Sequence, residues 1–399
     1  MKTISLHSLE LFSGAGGLAL GLHQAGFSHC ALVEWNSHAT KTLQLNCKKL
    51  LGLCPSAVHN KDARSFDLLP WAGKLDLLAG GPPCQPFSTG GKNLANLDPR
   101  DMFPTFLNAI RVTRPKAILI ENVKGLIRPR FADYLEYIQK RIEYPFCVDG
   151  SSAFKDELDC LRKANESGFV PDEQYNVGCF LIDTADYGVP QRRERVLIVA
   201  YRKDLGIFPQ KIPPSHSKES LLHSQYIESD YWKRHELAPM SFLGPQAKKL
   251  IAAISKSPES FKDKLALAPW NTVRDAISNL PSPVSRGHPE IFPNHVQHPG
   301  ARIYPGHIGS YHDYPAKALK AGTHGTPGGE NMLRENNSDN VRYFTTREAA
   351  RLHTFPDEWH FNGETWGSCI TQLGNAVPVK IAKIWGERIK SDVMRKEKL

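Results

Sequence analysis

Cys84 has the most informative setting for chemistry in this sequence. It stands in the block Gly80-Gly-Pro-Pro-Cys-Gln-Pro-Phe-Ser88, where two prolines precede the thiol and restrict the backbone. The apolar run from Leu75 to Ala79 comes directly before this block and predicts a short buried strand. The thiol is therefore expected on a stiff loop at the carboxyl end of a strand, where open α/β sheets carry their chemistry. The alternative is a buried cysteine that acts only as a small apolar side chain.

A carboxylate and a group of arginines follow two other apolar runs. Glu121 ends one of them, and we expect it to enter the same cleft as Cys84. In the block from Gln191 to Arg195, the alternate residues Gln191, Arg193 and Arg195 would share one face of an extended chain. A guanidinium beside a thiol lowers the pKa of that thiol and favours the thiolate. A strand-end cap and a solvated charge cluster are the alternative interpretations of these two features.

A glycine-rich segment lies between the first predicted strand and the first predicted helix. It reads Phe12-Ser-Gly-Ala-Gly-Gly17, so Gly14, Gly16 and Gly17 would let a ligand approach the backbone beside a helix N-terminus. Glu34 ends the next strand, 20 residues after Gly14, where its carboxylate could accept hydrogen bonds from a ribose. This motif alone does not separate a nicotinamide cofactor from S-adenosylmethionine.

Two residues near this segment are candidates for contacts with an adenine. Trp35 could stack on the ring, and Asp62 could accept a hydrogen bond from the adenine amine. A packing residue and a turn cap are the alternative interpretations.

A thiol, a carboxylic acid, fixed arginines and a nucleoside-binding loop together suit conjugate addition to a pyrimidine. Cys84 would attack carbon-6 of cytosine, and protonated Glu121 would hydrogen-bond ring N3 and stabilise the developing charge. Carbon-5 would then take a methyl group from the sulfonium of the cofactor. Loss of the carbon-5 proton would expel the thiolate. These steps need no metal.

The elements that must position these residues alternate between strand and helix over the first 200 residues. Such alternation predicts βαβ units and an α/β fold with a mostly parallel sheet. The predicted strands are 5–12, 29–34, 75–79, 117–121, 175–183 and 196–201, and the predicted helices are 17–25, 37–46 and 103–113. Residues 126–173 are predicted to be a mainly helical insertion, and later helices are predicted from Thr345 and over 379–390.

The frequency of prolines and the balance of charged residues both change in the second part of the chain. After about residue 205, frequent prolines interrupt the pattern and predict a loop-rich second domain. Residues 1–185 carry 20 Lys and Arg against 19 Asp and Glu, whereas residues 186–399 carry 30 against 22. The surplus within the net charge of +9 therefore lies in the second part, as expected of a region that meets a polyanion.

The amino-acid composition narrows the class of protein and the cellular compartment to be expected. The 399 residues have a mean hydropathy of −0.38, and no stretch approaches the ~18 apolar residues of a membrane span. The eight cysteines contain no Cys-x-x-Cys pair, which argues against zinc ribbons and redox dithiols. The N-terminus lacks the apolar core of a signal peptide. We therefore expect a cytoplasmic protein with free thiols.

The chain resembles the cytosine-5 DNA methyltransferases of bacterial restriction-modification systems, which act on duplex DNA. The resemblance rests on seven blocks in the order of that family, and it spans nearly the whole chain except about 205–340. The blocks are Phe12–Gly17, Val33–Asn36, Gly81–Ser88, Glu121–Val123, Gln191–Arg195, Thr345–Leu352 with Phe355–Asp357, and Gln372–Pro378.

The resemblance implies roles for individual residues. Cys84 would be the nucleophile, Glu121 the partner of N3, and Arg193 with Arg195 would orient the cytosine and the backbone. The implied S-adenosylmethionine site comprises Phe12, Gly14, Gly16, Gly17, Glu34, Trp35, Asp62, Pro82, Asn375 and Val377. The implied DNA contacts are Gln85, Ser88, Arg100 and Gln191, and no metal is implied.

The resemblance also implies an architecture. A Rossmann-like, S-adenosylmethionine-dependent methyltransferase domain would comprise 1–205 and 360–399, and a smaller loop-rich target-recognition domain would comprise 206–359. The target cytosine must be flipped out of the duplex, because carbon-5 and carbon-6 are hidden in the base stack. The family further implies a monomer, and a cognate restriction endonuclease that acts on the same site is a candidate partner.

Three other functions are considered beside DNA methylation. The first is tRNA cytosine-5 methylation. Relatives with that activity usually carry a Cys-Phe-Thr signature late in a shorter recognition region, whereas the only Cys-Phe pair here, Cys179-Phe180, precedes the arginine block. The second is a catalytically inactive DNA-binding regulator, which would tolerate the loss of Cys84, Glu121 or Arg193. The third, a nicotinamide oxidoreductase, rests on the glycine motif alone.

Overall fold

The computed structural model describes residues 5–83, 101–166, 174–239, 244–283, 292–303, 305, 307–321, 331–334 and 340–397. Contacts divide the chain into two compact units. The first comprises Met1–Ile182, Glu194–Lys211 and Ala382–Leu399, and the second comprises Asp183–Arg193 and Ile212–Ile381. Residues 360–381, which the sequence assigns to the catalytic domain, thus fall in the second unit. The predicted domain boundaries concern function and not compactness, so they stay predictions.

A seven-stranded sheet forms the centre of the first unit. Its strands are β1 Leu6–Leu11, β2 Phe27–Glu34, β3 Val58–Asn60, β4 Leu77–Gly80, β5 Ala117–Val123, β6 Tyr175–Asp183 and β8 Glu194–Arg202. The spatial order is β3-β2-β1-β4-β5-β8-β6. The four pairings from β3 to β5 are parallel, whereas β5 and β8 are antiparallel. The predicted α/β fold with a mostly parallel sheet is therefore confirmed.

The helices of the first unit follow the predicted alternation. They are α1 Gly17–Gln24, α2 Ser37–Leu50, α3 Phe103–Thr113, α4 Ala132–Glu143 and α5 Phe154–Glu166, and α13 Val379–Glu397 ends in this unit. The Asn36 side chain caps α2 by accepting from the amide of Ala39, and a proline opens α3, where its missing amide costs nothing. Helices α4 and α5 confirm a helical insertion over 126–166, while 167–173 lie outside the described residues.

The core of this unit lies on the sheet and explains why the strands form. Strand β4 is buried along its whole length, as expected when helices cover both faces of a parallel sheet. Leu9 and Leu11 of β1 pack into the main apolar cluster with Phe106 of α3 and Ile138 of α4. The rigid sheet then holds the loops that follow its strands.

The second unit has short elements and no large sheet within its described residues. Its helices are α6 Lys218–Tyr226, α7 Asp230–Arg234, α8 Pro245–Lys256, α9 Lys262–Leu265, α10 Val273–Ile277, α11 Thr346–Leu352 and α12 Trp366–Asn375. Its strands are β7 Gln191–Arg192, β9 His216–Ser217, β10 Ala268–Pro269, β11 Ser310–Tyr311, β12 Ala316–Lys317, β13 Met332–Arg334 and β14 Val341–Tyr343. The described elements of this unit do not alternate as βαβ units, and sequence reasoning missed helices α6 to α10 and α12.

Two local features hold this unit together. Thr345 caps α11, because its hydroxyl accepts from the Glu348 amide and its own amide donates to the Glu348 carboxylate. This confirms the predicted start of that helix. A small aromatic core forms around Trp232, with Tyr231 and Trp270 packed in the same cluster. Among the described residues, no helix is long and apolar enough to cross a membrane.

Candidate active site

The carboxyl ends of four neighbouring parallel strands define the candidate site. Because β1, β2, β4 and β5 run in one direction, the loops that follow them emerge at one edge of the sheet. This edge carries the segment from Phe12 to Gly17, Glu34, the turn after Gly80, and Glu121. Cys84 itself lies outside the described residues, as do Gln85, Ser88 and Arg100.

The loop after β1 has the backbone conformation that its glycines allow. Phe12, Gly14 and Gly16 have positive φ angles of 58°, 53° and 89°. A Cβ built on Gly14 would meet nothing within 4 Å, so open space borders the backbone there. Gly16 is the N-cap residue of α1 and Gly17 is its first residue, so free amides of the first turn adjoin this loop. The arrangement can accept an anionic group.

Glu34 fixes the loop from the neighbouring strand. Its Oε2 accepts from the Gly14 amide at 2.8 Å, and its Oε1 accepts from the Asn36 amide at 2.8 Å. Burial raises the pKa of Glu34, while these backbone hydrogen bonds oppose that rise. Each carboxylate oxygen has a second lone pair, so the side chain can still accept from a ligand hydroxyl.

Trp35 and Asp62 flank this site in different ways. Trp35 is 71% exposed, and the side-chain amide of Asn60 donates to the backbone carbonyl of Trp35 at 2.9 Å, which fixes this segment. The exposed ring is open to a ligand, and its predicted stacking on an adenine stays a prediction. Asp62 accepts from the Arg64 amide and guanidinium, and these bonds lower the pKa of its carboxyl.

Glu121 lies against the turn that leads to Cys84. Its Oε2 would be 3.6 Å from a Cβ built on Gly81, and the side-chain amide of Asn122 donates to the Pro82 carbonyl at 3.1 Å. Gly80 cannot be replaced without movement, because a Cβ there would come within 2.8 Å of the Phe106 ring. The end of β5 is thus tied to the residues just before Cys84.

Arg195 contacts Glu121 across the antiparallel pair of β5 and β8. Nε of Arg195 lies 2.7 Å from Oε1 of Glu121, and the two side chains are 13% and 11% exposed. The guanidinium N–H is not aligned for a hydrogen bond, so the contact is an ion pair. It places a fixed positive charge beside the carboxylate.

Arg193 and Gln191 are buried within the second unit. The Arg193 side chain is 2% exposed and donates to the carbonyls of Leu319 at 2.9 Å, Ala376 at 3.4 Å and Gly374. The fully buried Gln191 accepts from the Leu319 amide at 3.0 Å through its Oε1. Their predicted roles toward cytosine and DNA stay predictions, and in this structure both side chains hold backbone segments of their own unit.

The segment that Arg193 holds contains the last two predicted cofactor contacts. Asn375 is exposed at the end of α12, and Val377 is buried two residues later. A Cβ on Gly374 would come within 2.1 Å of the Ala321 amide nitrogen, so only glycine fits there. The sequence block around Asn375 is therefore constrained by packing as well.

Sequence reasoning missed Glu10, the residue before the last of β1. Its side chain is 1% exposed, and neither of its oxygens has a hydrogen-bond partner among the described residues. Burial raises the pKa of Glu10 well above its ordinary value, and Glu34 raises it further. A charged residue inside an apolar strand was the available signal. An unpartnered carboxyl beside this loop fits a cationic ligand.

Comparison with known proteins agrees with these features. The family model described as C-5 cytosine-specific DNA methylase matches residues 6–144 and 170–391. The type II methyltransferase M.NgoMIV of Neisseria gonorrhoeae is 30% identical to this chain, over 96% of each protein. M.PspPI of Psychrobacter sp. is 32% identical, over 96% of this chain and 78% of that protein.

A solved structure shares the fold. It is described as a putative DNA modification methyltransferase encoded within an E. coli prophage, and it matches with a TM-score of 0.52 at 20% identity, over 98% of this chain and 100% of that chain. These matches do not favour tRNA methylation or an inactive regulator. The chain belongs to the C-5 cytosine-specific DNA methylase family and is a DNA (cytosine-5) methyltransferase.

Proposed function

We propose that Cys84 attacks carbon-6 of a flipped-out cytosine while Glu121, protonated at that moment, hydrogen-bonds ring N3. The observation that carries this proposal is that Glu121 Oε2 lies 3.6 Å from the place of a Cβ on Gly81 while the Asn122 side-chain amide donates to the Pro82 carbonyl. Gly81 and Pro82 precede Cys84 by three and two residues, so the end of β5 that carries the carboxyl also holds the segment that leads to the thiol. Arg195, paired with Glu121, orients that carboxyl.

The covalent step forms and then breaks one bond between the Cys84 sulfur and carbon-6 of the cytosine. The thiolate adds to carbon-6, and the hydrogen bond from Glu121 to N3 stabilises the negative charge that moves into the ring. S-adenosylmethionine, when bound, would supply the methyl group to carbon-5 as a sulfonium electrophile, and the electrons of the broken carbon–sulfur bond would stay on the sulfur of the neutral thioether product. A base then removes the carbon-5 proton, the carbon-5–carbon-6 double bond re-forms, and the thiolate of Cys84 leaves.

We infer that the loop after β1 and its neighbours hold S-adenosylmethionine. The unpartnered carboxyl of Glu10 supports this fit, since the cofactor is cationic. Amides of the loop would bind its carboxylate, Glu34 the ribose hydroxyls, and Trp35 the adenine ring. The other proposed contacts are Phe12, Gly14, Gly16, Gly17, Asp62, Pro82, Asn375 and Val377.

The test is methyl transfer from labelled S-adenosylmethionine to duplex DNA of mixed sequence. We expect 5-methylcytosine in a defined sequence context, and none with Cys84→Ser. Absence of 5-methylcytosine across many contexts would overturn the proposal. A second arm uses duplexes with 5-fluorocytosine at the methylated position. Fluorine cannot leave as a proton does, so a covalent complex through Cys84 should accumulate.

We further propose that the chain works as a monomer with a restriction endonuclease that cuts the same sequence. Relatives that are described as type II methyltransferases support the pairing with an endonuclease, and the monomer follows from the family resemblance alone. Plasmid methylated by this chain should resist a host extract that cuts the unmethylated plasmid. Cleavage of both plasmids alike would contradict the pairing with an endonuclease, and sedimentation as a dimer would contradict the monomer.

A further inference from the structure

Helix α8 has two opposite faces of different chemistry. Ile254 is buried and Leu250 and Ile251 are half-buried, on the side that packs against α6. Lys248, Lys249 and Lys256 are exposed. At about 100° per residue, the three lysines fall within a sector of about 100° that faces away from the packing side. We call these three residues the lysine face.

The lysine face lacks local counter-charges. No Asp or Glu occurs in the sequence from Leu237 to Pro258. Within the described parts of the chain, none of the three lysines forms an ion pair. Lysines and arginines on the neighbouring helices do form such pairs: Lys233–Asp230, Arg234–Asp275, Lys262–Glu259 and Arg274–Asp313. Lys218 of α6 and Lys264 of α9 also lack an ion pair among the described residues, so three of the five unpaired lysines of helices α6 to α10 lie on α8.

The shape of the lysine face fits a phosphate backbone. Lys248 and Lys256 are eight residues apart, about 12 Å along a helix, which spans three or four phosphates of one DNA strand. The exposed residues between the lysines, Ala252, Ala253 and Ser255, are small and would let the helix approach closely. Lysine acts as a flexible point charge, which suits phosphates better than base edges.

We propose that the lysine face binds the phosphates of the duplex DNA substrate and supplies affinity that does not depend on sequence. This inference rests on the proposed function. It assigns α8 to the electrostatic part of DNA binding and leaves recognition of the target sequence to other residues.

The experiment measures duplex binding at several salt concentrations for the wild type and for K248A/K249A/K256A. Each lost phosphate contact should reduce the slope of log K against log salt by about 0.9, so the triple variant should lose about 2 to 3. Cognate and non-cognate duplexes should weaken by the same factor. Alanine has the highest helix propensity, so these substitutions at exposed positions should keep α8 helical, and circular dichroism checks that the fold is kept.

Helix α2 offers a matched control. It presents the same exposed Lys-Lys pair, Lys48 and Lys49, in the first unit, again without a nearby acid in sequence. K48A/K49A should leave the slope unchanged, whereas K248A/K249A should reduce it by about 2.

Three results would overturn the inference: equal slopes for the two double variants, weaker binding of cognate DNA alone, or a larger effect on structured RNA than on DNA. If the wild type neither binds nor methylates duplex DNA, the proposed function fails. If the wild type does both and the slope does not change, only the role of α8 fails.

Discussion

Nε of Arg195 lies 2.7 Å from Oε1 of Glu121, and the antiparallel register of β5 and β8 creates this contact. The register pairs Val123 with Arg195 and Glu121 with Leu197, so the two charged residues are diagonal neighbours at the end of the ladder. The proposed acid of the reaction therefore has a fixed cation on one side and the turn before Cys84 on the other.

The two partners of the Arg195–Glu121 pair should matter in different ways, Arg195 for stability and Glu121 for the reaction rate. Arg195→Ala leaves a mostly buried carboxylate without its partner, and we expect a loss of about 3 kcal/mol in the free energy of unfolding, the lower end for a buried pair, because both side chains keep some exposure. Glu121→Gln should lower kcat by about 100-fold, because a neutral amide is a weaker hydrogen-bond donor to N3 than a carboxylic acid and stabilises the developing charge less. Urea denaturation and single-turnover kinetics measure the two effects.

An exposed ion pair at the ends of the same two strands, β5 and β8, provides the control. Lys124 and Glu194 also lie 2.7 Å apart, but both side chains are about half exposed. Lys124→Ala should change stability by less than about 0.5 kcal/mol. An equal loss for Lys124→Ala and Arg195→Ala would contradict the importance of burial, and a double variant E121Q/R195A that is no more stable than R195A would contradict direct coupling.

Arg193 should matter for structure whether or not it contacts substrate. Arg193→Lys cannot serve the carbonyls of Leu319, Gly374 and Ala376 together, since an ammonium lacks the planar fork. We expect faster hydrogen exchange in peptides that cover 316–321 and 370–379. Exchange at wild-type rates in both peptides would show that the carbonyl contacts are dispensable.

Glu34 and Trp35 should separate two kinds of cofactor contact. Glu34→Gln replaces one acceptor oxygen by an NH2 group, so one of the two amides from Gly14 and Asn36 loses its acceptor. We expect affinity for S-adenosylmethionine to fall by about tenfold or more and stability to fall as well. Trp35→Ala should lower the affinity for the cofactor by a similar factor. It should not lower the stability of the protein, because the ring is exposed. Calorimetric titration and thermal unfolding distinguish the two.

Glu10 should make stability fall as pH rises. Its pKa is raised in the fold, so between the ordinary carboxyl value of about 4.3 and the raised value the native state binds more protons than the unfolded state. The stabilising contribution of the protonated form is complete below that ordinary value and is lost as pH rises through the raised pKa. Glu34, also raised, acts in the same direction.

The variant Glu10→Gln tests this slope. It should flatten the dependence of unfolding free energy on pH and increase stability at pH 8, with urea midpoints as the measurement. It should also reduce affinity for the cationic cofactor more than affinity for its neutral thioether product. A steeper pH dependence in Glu10→Gln would contradict the assignment.

Cys54 should be alkylated before the buried thiols. The hydroxyl and amide of Ser56 lower the pKa of the exposed Cys54, whereas burial raises the pKa values of Cys147, Cys179 and Cys369. Mass spectrometry after brief iodoacetamide treatment at pH 7 measures the order of labelling. Ser56→Ala should slow the labelling of Cys54, and faster labelling of Cys369 would contradict the prediction.

The sequence alone determined the parts of this protein that depend on local pattern. Short apolar runs that alternate with helical patterns predict β1, β2, β4 and β5. Each run is continuous because a strand buried between two helical layers needs apolar residues on both faces. The cap at Thr345 is equally local, since both of its hydrogen bonds lie within four residues. Helices α6 to α10 escaped prediction because most are short and prolines and polar residues interrupt the helical pattern between them.

Only the tertiary structure decided what surrounds each side chain. The sequence places Glu10 in a strand, but its isolation from every partner among the described residues depends on the strands and helices packed around it. Arg193 and Gly374 are 181 residues apart, and Arg195 meets Glu121 through the register of two strands that are 74 positions apart in sequence. Such contacts depend on packing and register over the whole unit, and a local pattern of residue types does not encode them.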